Sequence, residues 1–522
     1  MHGMLRSVTA EYVDDVPYVR HFIAELAPSR ARLVAALDGV PPPPGADFDY
    51  CELGCAHGDT LAALAAAHPD SRFLGVDLSA AHVASAKRLA RDGALENVGV
   101  LERDFGDLVH EDIGEFDYIV AHGVLSWVSP EKRRALIDFA SAKLKPGGLL
   151  HVSYNTMPGW SSVEPLRQLI LFGGTGGAAG ETSLERARRG LEFAHAMKRA
   201  GADYFTKNPE AAAMLDTIAR VGLPYVVHEY MHEHWIPMYF ARVAWEMAQN
   251  GLHFVGGIPA HVNFRDAALP EAQERLLAPV TDRVTFESLK DFALNEFFRR
   301  DVFVLGKAPR SAAETARYLD GTPWGMLASA ASADRVVRLP HRTVNLEGAT
   351  YDALFAALAE GATTVPSLMA RSDLRGVGIE AVRAALVQLI VAEHVVPMQS
   401  VTKTPTPRAA DGVFSLPSVY NQMMLRRLSG DTPIVMASPV AGTGFPVSAL
   451  EGLALRMLTE VEPSKRDAWL TDLVGRSVLR IRIGDRVLED RAEQRSAINA
   501  AFEQLCEQRL AKLVELGVLL PP

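Results

Sequence analysis

The sequence predicts an α/β fold: a Rossmann-like doubly wound parallel sheet, then a helical middle domain and an α+β, winged-helix-like C-terminal region. Three observations carry this. Between 50 and 154, short apolar runs alternate with amphipathic stretches, and parallel neighbours need such a crossover helix between them. A glycine-rich turn, CELGCAHGD at 51–59, sits between the first run and the helix that follows it. Beyond 180 the alternation gives way to patterns rich in Ala and aromatics.

The elements follow in order. After a Tyr-rich opening and an amphipathic stretch over 19–37, the prolines at 41–44 and Gly45 break any helix and serve as a linker. Strands are expected at 50–53, 72–76, 98–102, 116–121 and 149–154. Helices are expected at 60–67, at 79–91 with Ser79 as N-cap, and at 131–143, stopping before Pro146-Gly147-Gly148. GGTGGAAG at 173–180 reads as a flexible excursion that closes this unit. Residues 184–305 read as helical, with no strand alternation. From about 338, helical patterns at 350–360, 365–371 and 379–393 lead into Val395-Val396-Pro397, the order of a winged-helix-like unit. The tail over 448–522 holds two more helical segments flanking 478–487, which alternates like a hairpin. The expected domains are 1–172, 184–306 and 338–522.

Composition narrows the function. A chain of 522 residues is too long for one ordinary core, and its 48% hydrophobic fraction supports a folded protein. The net charge of -10 disfavours gripping a phosphate backbone, so no nucleic-acid partner is expected. The three cysteines, Cys51, Cys55 and Cys506, build no disulfide framework, and the sequence shows neither a signal peptide nor a membrane-spanning run. A cytoplasmic protein with no membrane span is expected.

The chemistry concentrates in the first third. Glu52, Gly54 and Gly58 form an E-x-G-x-x-x-G spacing after a strand and before a helix, where glycine lets backbone approach a ligand. A dinucleotide site normally shows G-x-G-x-x-G. The acidic Glu52 is a poor neighbour for a diphosphate and a reasonable one for an amino group, which favours S-adenosylmethionine (SAM). Asp77 ends the second strand in FLGVDLS, beside Leu78, where a carboxylate accepts ribose hydroxyls. Asp104 and Phe105 follow the third strand, where an adenine edge would lie.

The series ELGCAHG, GVDLS, Asp104, FDYIVAHGVLSWV and LKPGGLLHVSYNTMPGW resembles the class I SAM-dependent methyltransferases. Within them it is similar to the bacterial group carrying a methyltransferase regulatory domain, which includes the rickettsial protein-lysine methyltransferases. The Tyr12-x-x-x-Val16-Pro17-Tyr18 opening shares the likeness, as do PYVVHEYMHEHWIPMYFARVAWEMAQNGLHFVGG and LKDFALNEFFRRDVFV, which resemble that group's middle domain. Little is recognisable from Gly412 onward. The resemblance implies that Glu52, Gly54, Gly58, Asp77 and Asp104 hold the cofactor and that His122-Gly123 pass beside its methionine end. Tyr12, Tyr18, Tyr154 and Asn155 are expected to face the acceptor, with Trp127 and Trp160 as apolar walls that also attract a cationic amine. The N-P-P-Y tetrapeptide common in amino-directed methyltransferases is absent, and AHGV stands in its place.

Other signals carry less. His228-Glu229-Tyr230-Met231-His232 fits H-E-x-x-H, yet Pro237 interrupts the helix that a zinc protease would extend, so no metal is expected. Cys51 and Cys55 read as buried small hydrophobes. RSVLRIRIGDR at 476–486 reads as a charged edge strand. The function expected is N-methylation of lysine on a protein substrate, with the later domains presenting it. The alternatives are a small-molecule metabolite as acceptor under a helical lid, or a SAM-binding sensor without turnover.

Overall fold

The computed structural model describes residues 16, 20–177, 180–307, 309–428, 433–476, 481–484 and 486–522. Tyr12 and Tyr18 lie outside the described residues. Seven strands form the central sheet in the order β3-β2-β1-β4-β5-β7-β6. They are β1 (Asp49–Leu53), β2 (Arg72–Asp77), β3 (Val98–Glu102), β4 (Phe116–Ala121), β5 (Leu144–Asn155), β6 (Leu252–Gly257) and β7 (Phe298–Leu305). The first five pair in parallel, so their carboxyl ends share one edge. β4, FDYIVA, is buried throughout, as an apolar run covered by helices on both faces must be.

Local signals set the helices between them. Ser79 accepts from the His82 backbone N–H at 3.3 Å and starts Ala80–Asp92. Ser129 does the same for Lys132, with Pro130 in the first turn, and starts Pro130–Lys143. Cys51 and Cys55 are buried free thiols.

The middle segment departs from its strandless expectation, because 252–257 and 298–305 complete the sheet. β7 runs antiparallel to β5, from Leu149 opposite Val304 to Asn155 opposite Phe298. β6 runs antiparallel to β7 on its other side. The strand escapes an apolar pattern because FRRDVFVL buries charge. Arg299 donates to Asp291 Oδ1 at 2.5 Å, Glu287 Oε2 at 2.9 Å and Asp301 Oδ2 at 3.0 Å, and Lys290 pairs with Glu287 at 2.7 Å. Three acids meet two bases there. Burial pushes the Asp291 carboxyl up to about 7, against the Arg299 charge.

The C-terminal region is α+β and winged-helix-like in its make-up. Helices Ala349–Glu360, Val365–Met369 and Ile379–Val391 accompany the hairpin Val336–Arg338 and Thr343–Asn345. Their core takes in Leu33 and Ala36 of the helix Pro28–Leu37. A second hairpin, Ile434–Ser438 with Thr443–Val447, lies against the helix Asp59–Ala67. There His68 Nε2 donates to the Gly442 carbonyl at 2.8 Å. The tail hairpin is Ile481–Ile483 with Arg486–Leu488.

Removing the one guanidinium that serves three buried acids leaves only Lys290 to balance their charge, with the Tyr154 hydroxyl as the remaining donor to Asp301. Arg299→Met is therefore expected to destabilise the full chain by about 3–5 kcal/mol in urea denaturation. Glu314→Gln, at an exposed surface pair with Arg317, is expected to shift the same curve by less than about 1 kcal/mol.

Candidate active site

The loops after β1 to β5 open onto a cavity of about 540 Å³. The turn after β1 is held by backbone bonds: Gly54 N and Cys55 N donate to Val76 O at 2.8 and 3.1 Å. Gly54 and Gly58 adopt φ of +75° and +74°, and a Cβ on either would meet Val124 or Ala86 at 2.8 Å. Gly54 lines the cavity; Gly58 is set behind it, at the start of the helix Asp59–Ala67.

Glu52 points its buried carboxyl into this turn. Its Oε2 has no hydrogen-bond partner among the described residues. Burial, with Asp59 and Asp77 nearby, pushes the carboxyl up to about 8. A cation beside it would reverse that.

Asp77 is more committed than the sequence suggests. Its Oδ2 accepts from Ala56 N at 2.8 Å, and its Oδ1 accepts from Ser79 N at 2.9 Å with His82 Nδ1 at 3.2 Å. Both oxygens thus already accept from the chain itself, Oδ2 being the less engaged. The same carboxylate also fixes the glycine turn. Asp104 caps a short helix by accepting from Gly106 N at 2.9 Å and pairs with Lys132. Burial raises its carboxyl, but the Lys132 ammonium and the Gly106 N–H overcome this and hold it below the usual range. Leu78 and Phe105 line the cavity beside these acids.

His122 lines the cavity too, with Nδ1 3.0 Å from Ser153 Oγ. Burial, then the Arg300 and His21 charges, push its imidazole down to about 4, so it is neutral at physiological pH and does not repel a cation. Asn155 closes the floor. Its backbone N donates to Ser126 Oγ at 2.9 Å, while its side-chain Nδ2 is buried with no partner among the described residues. Trp127 and Trp160 form walls, Trp160 donating to Phe297 O at 3.0 Å and lying edge-on to Trp235.

Tyr154 is a correction. It points away from the cavity, fully buried, and its hydroxyl donates to Asp301 Oδ2 at 2.5 Å. Alternation along β5 puts it on the opposite face from Asn155, so it braces the β5–β7 junction instead of meeting an acceptor.

The opposite wall comes from the middle segment. Tyr225, His228 and Glu229 of the helix Leu223–Tyr230, then His232 and His234, all line the same cavity. The H-E-x-x-H spacing is therefore at the site, but the helix ends at Tyr230 and leaves His232 beyond it. Among the described residues, no group of three His, Cys, Asp or Glu side chains is placed to hold a metal ion. The motif was visible in the sequence; its placement over the turn at 54–58 was not, because that depends on β6 and β7.

Known proteins match this arrangement. A family described as a methyltransferase domain matches residues 51–150, and one described as a predicted methyltransferase regulatory domain matches 223–305. An uncharacterized protein of Synechocystis is 30% identical over 511 residues, 97% of this chain and 99% of its own length. The chain belongs to the class I SAM-dependent methyltransferases that carry a methyltransferase regulatory domain. An uncharacterized protein of Rickettsia prowazekii is 31% identical to this methyltransferase over 44% of its chain and 91% of the relative. The solved structure of PKMT2 from Rickettsia typhi in complex with AdoHcy shares the fold, with a TM-score of 0.71 at 21% identity, over 96% of this methyltransferase and 100% of that chain.

SAM is the cofactor of this family, and the residues fit it: a partnerless buried carboxyl, flanked by two more acids, suits a ligand carrying an ammonium and a sulfonium. Glu52 is protonated below about pH 8, and pairing with a cation requires its carboxylate, so binding releases a proton. SAM affinity of the methyltransferase is therefore expected to rise with pH between about 6 and 7.5, below the range where the ligand's own amino group titrates. Calorimetry in buffers of different ionisation enthalpy reads both effects; Glu52→Gln is expected to abolish the slope.

Proposed function

We propose that this methyltransferase N-methylates lysine on a protein substrate. On this reading the sheet and the segment 223–305 act as one catalytic unit, and residues 338–522 present the substrate. The observation that carries it is a second acid, Glu229, beside the aromatic rings of Tyr225 and Trp160 on the wall facing the cofactor turn. An acid next to aromatic faces suits an alkyl ammonium.

SAM supplies an activated methyl group on a sulfonium whose thioether product is a good leaving group, so the chain mainly positions the reactants and excludes water. Glu52, Gly54, Asp77, Leu78, Asp104, Phe105 and the neutral His122 would hold it, with Gly58 shaping the turn. Trp127 and Trp160 would wall the lysine chain, and the Asn155 Nδ2, which has no partner among the described residues, would donate a hydrogen bond to an acceptor on a bound ligand. PKMT2 from Rickettsia typhi, which has this fold, was solved with AdoHcy, and the reading agrees with that complex. A cavity of about 540 Å³ also lies within the range of small-molecule sites, which favours a metabolite amine as the second reading.

Incubating the purified chain with methyl-labelled SAM and lysate of its own host separates the two. Base-stable label in protein, recovered as methyllysine after hydrolysis, is the expected result. Label confined to the small-molecule fraction would contradict the protein substrate.

A further inference from the structure

The cavity holds five acids, and three of them are already matched. Asp59 pairs with Arg20 at 2.9 Å, Asp104 with Lys132, and Asp77 with backbone donors and His82. Glu52 and Glu229 are the two that are not. Glu52 belongs to the cofactor turn and Glu229 to the helix Leu223–Tyr230 of the middle segment, on different walls of the cavity. One cationic ligand at the turn therefore leaves Glu229 unmatched.

Glu229 sits one helical turn after Tyr225, so both face the cavity from the same side of the helix. No hydrogen bond or ion pair to a described residue restrains it. Trp160 packs against Tyr230 of the same helix, with ring centroids 6.5 Å apart, and extends the aromatic wall. Burial alone pushes the Glu229 carboxyl up to about 7, the range in which a group both takes and releases protons at neutral pH.

We propose that Glu229 is the catalytic base of this enzyme, receiving the proton of the acceptor ammonium and thereby making the regulatory segment part of the reaction. The proposal rests on the amine-methylation reading above. The ammonium N–H bond breaks and its proton passes to a Glu229 carboxylate oxygen. The freed lone pair forms the N–C bond to the methyl group as the C–S bond breaks, its electrons returning to sulfur. The product nitrogen carries the positive charge, and Glu229 releases its proton to water before the next turnover.

Other ionisable side chains stand nearby. His228, His232 and His234 lie beside Glu229 in the chain, Tyr225 and Tyr230 share its helix, and His21, His122 and Lys132 face it across the cavity. The helices Ser183–Arg199 and Pro209–Val221 pack behind and add no charge that shifts it. All of these remain in Glu229→Gln, so the difference between the two pH profiles reports Glu229.

The test measures methyllysine formed from labelled SAM in host lysate protein by full-length wild type and Glu229→Gln from pH 6 to 9, with SAM affinity by calorimetry. Wild-type rate is expected to level off near pH 7. Glu229→Gln is expected to bind SAM within twofold of wild type, to turn over about 100-fold slower at pH 7, and to keep rising in rate toward pH 9 as the substrate ammonium loses its proton to water. A variant within threefold of wild type, one slowed equally at every pH, or one that loses SAM binding would each overturn the proposal. If the Gln variant does not fold, Glu229→Asp decides: a slower rate with the plateau kept supports the base, and an unchanged rate overturns it. Absence of methyllysine with wild type would instead refute the amine-on-protein reading, before any variant is compared.

Discussion

The site depends on the antiparallel junction of β5 and β7. β5 carries Asn155 into the cavity and Tyr154 into the opposite layer, and β7 begins at Phe298, directly opposite Asn155. The Tyr154 hydroxyl on Asp301 binds the two strands side chain to side chain, and the Arg299 guanidinium ties β7 to Glu287 and Asp291 of the helix Arg283–Leu294. Buried ions of this kind add little net stability, but breaking one is costly because the remaining charges are left unmatched. The register of β7 against β5 fixes Phe297 and Phe298 at the cavity rim, and Phe297 accepts the Trp160 indole N–H. The regulatory segment is thus built into the catalytic sheet, and its helix Leu223–Tyr230 faces the glycine turn as a consequence.

Electrostatics complete the arrangement. Most charge around the cavity is internally balanced, which leaves two carboxyls whose burial costs free energy unless a cation arrives. One sits in the turn between β1 and the helix after it; the other belongs to the regulatory helix. A cationic cofactor satisfies the first, and on the proposed amine-methylation reading a cationic acceptor satisfies the second. Neutral His122, on the same cavity, avoids repelling either.

Much of this was legible in the sequence, for physical reasons. The alternation of Tyr50-Cys51 with the small-residue helix 59–67, the run FDYIVA and the caps Ser79 and Ser129 are local signals, and local signals survive in one dimension. Glu52, Gly54, Asp77, Asp104 and His122 were readable because each ends a strand at a shared edge. β7 was not, since Arg299 and Asp301 interrupt its apolar pattern, and their partners, Glu287 and Asp291 for Arg299 and Tyr154 for Asp301, lie on other elements. Tyr154 was misplaced by a single residue of alternation: its neighbour Asn155 lines the cavity and Tyr154 does not. Glu229 stood in a recognisable H-E-x-x-H string, but its chemistry depends on facing a turn about 170 residues earlier in the chain.

If the sheet is complete only with the regulatory segment, a chain ending at Gly173 tests that most directly, by cooperative unfolding and SAM binding beside the full protein. The account expects the shortened chain to lack a cooperative transition and to bind SAM at least about 100-fold more weakly, because β5 loses its partner and Tyr154 its carboxylate. A shortened chain that unfolds cooperatively and binds SAM as tightly as the full protein would contradict it.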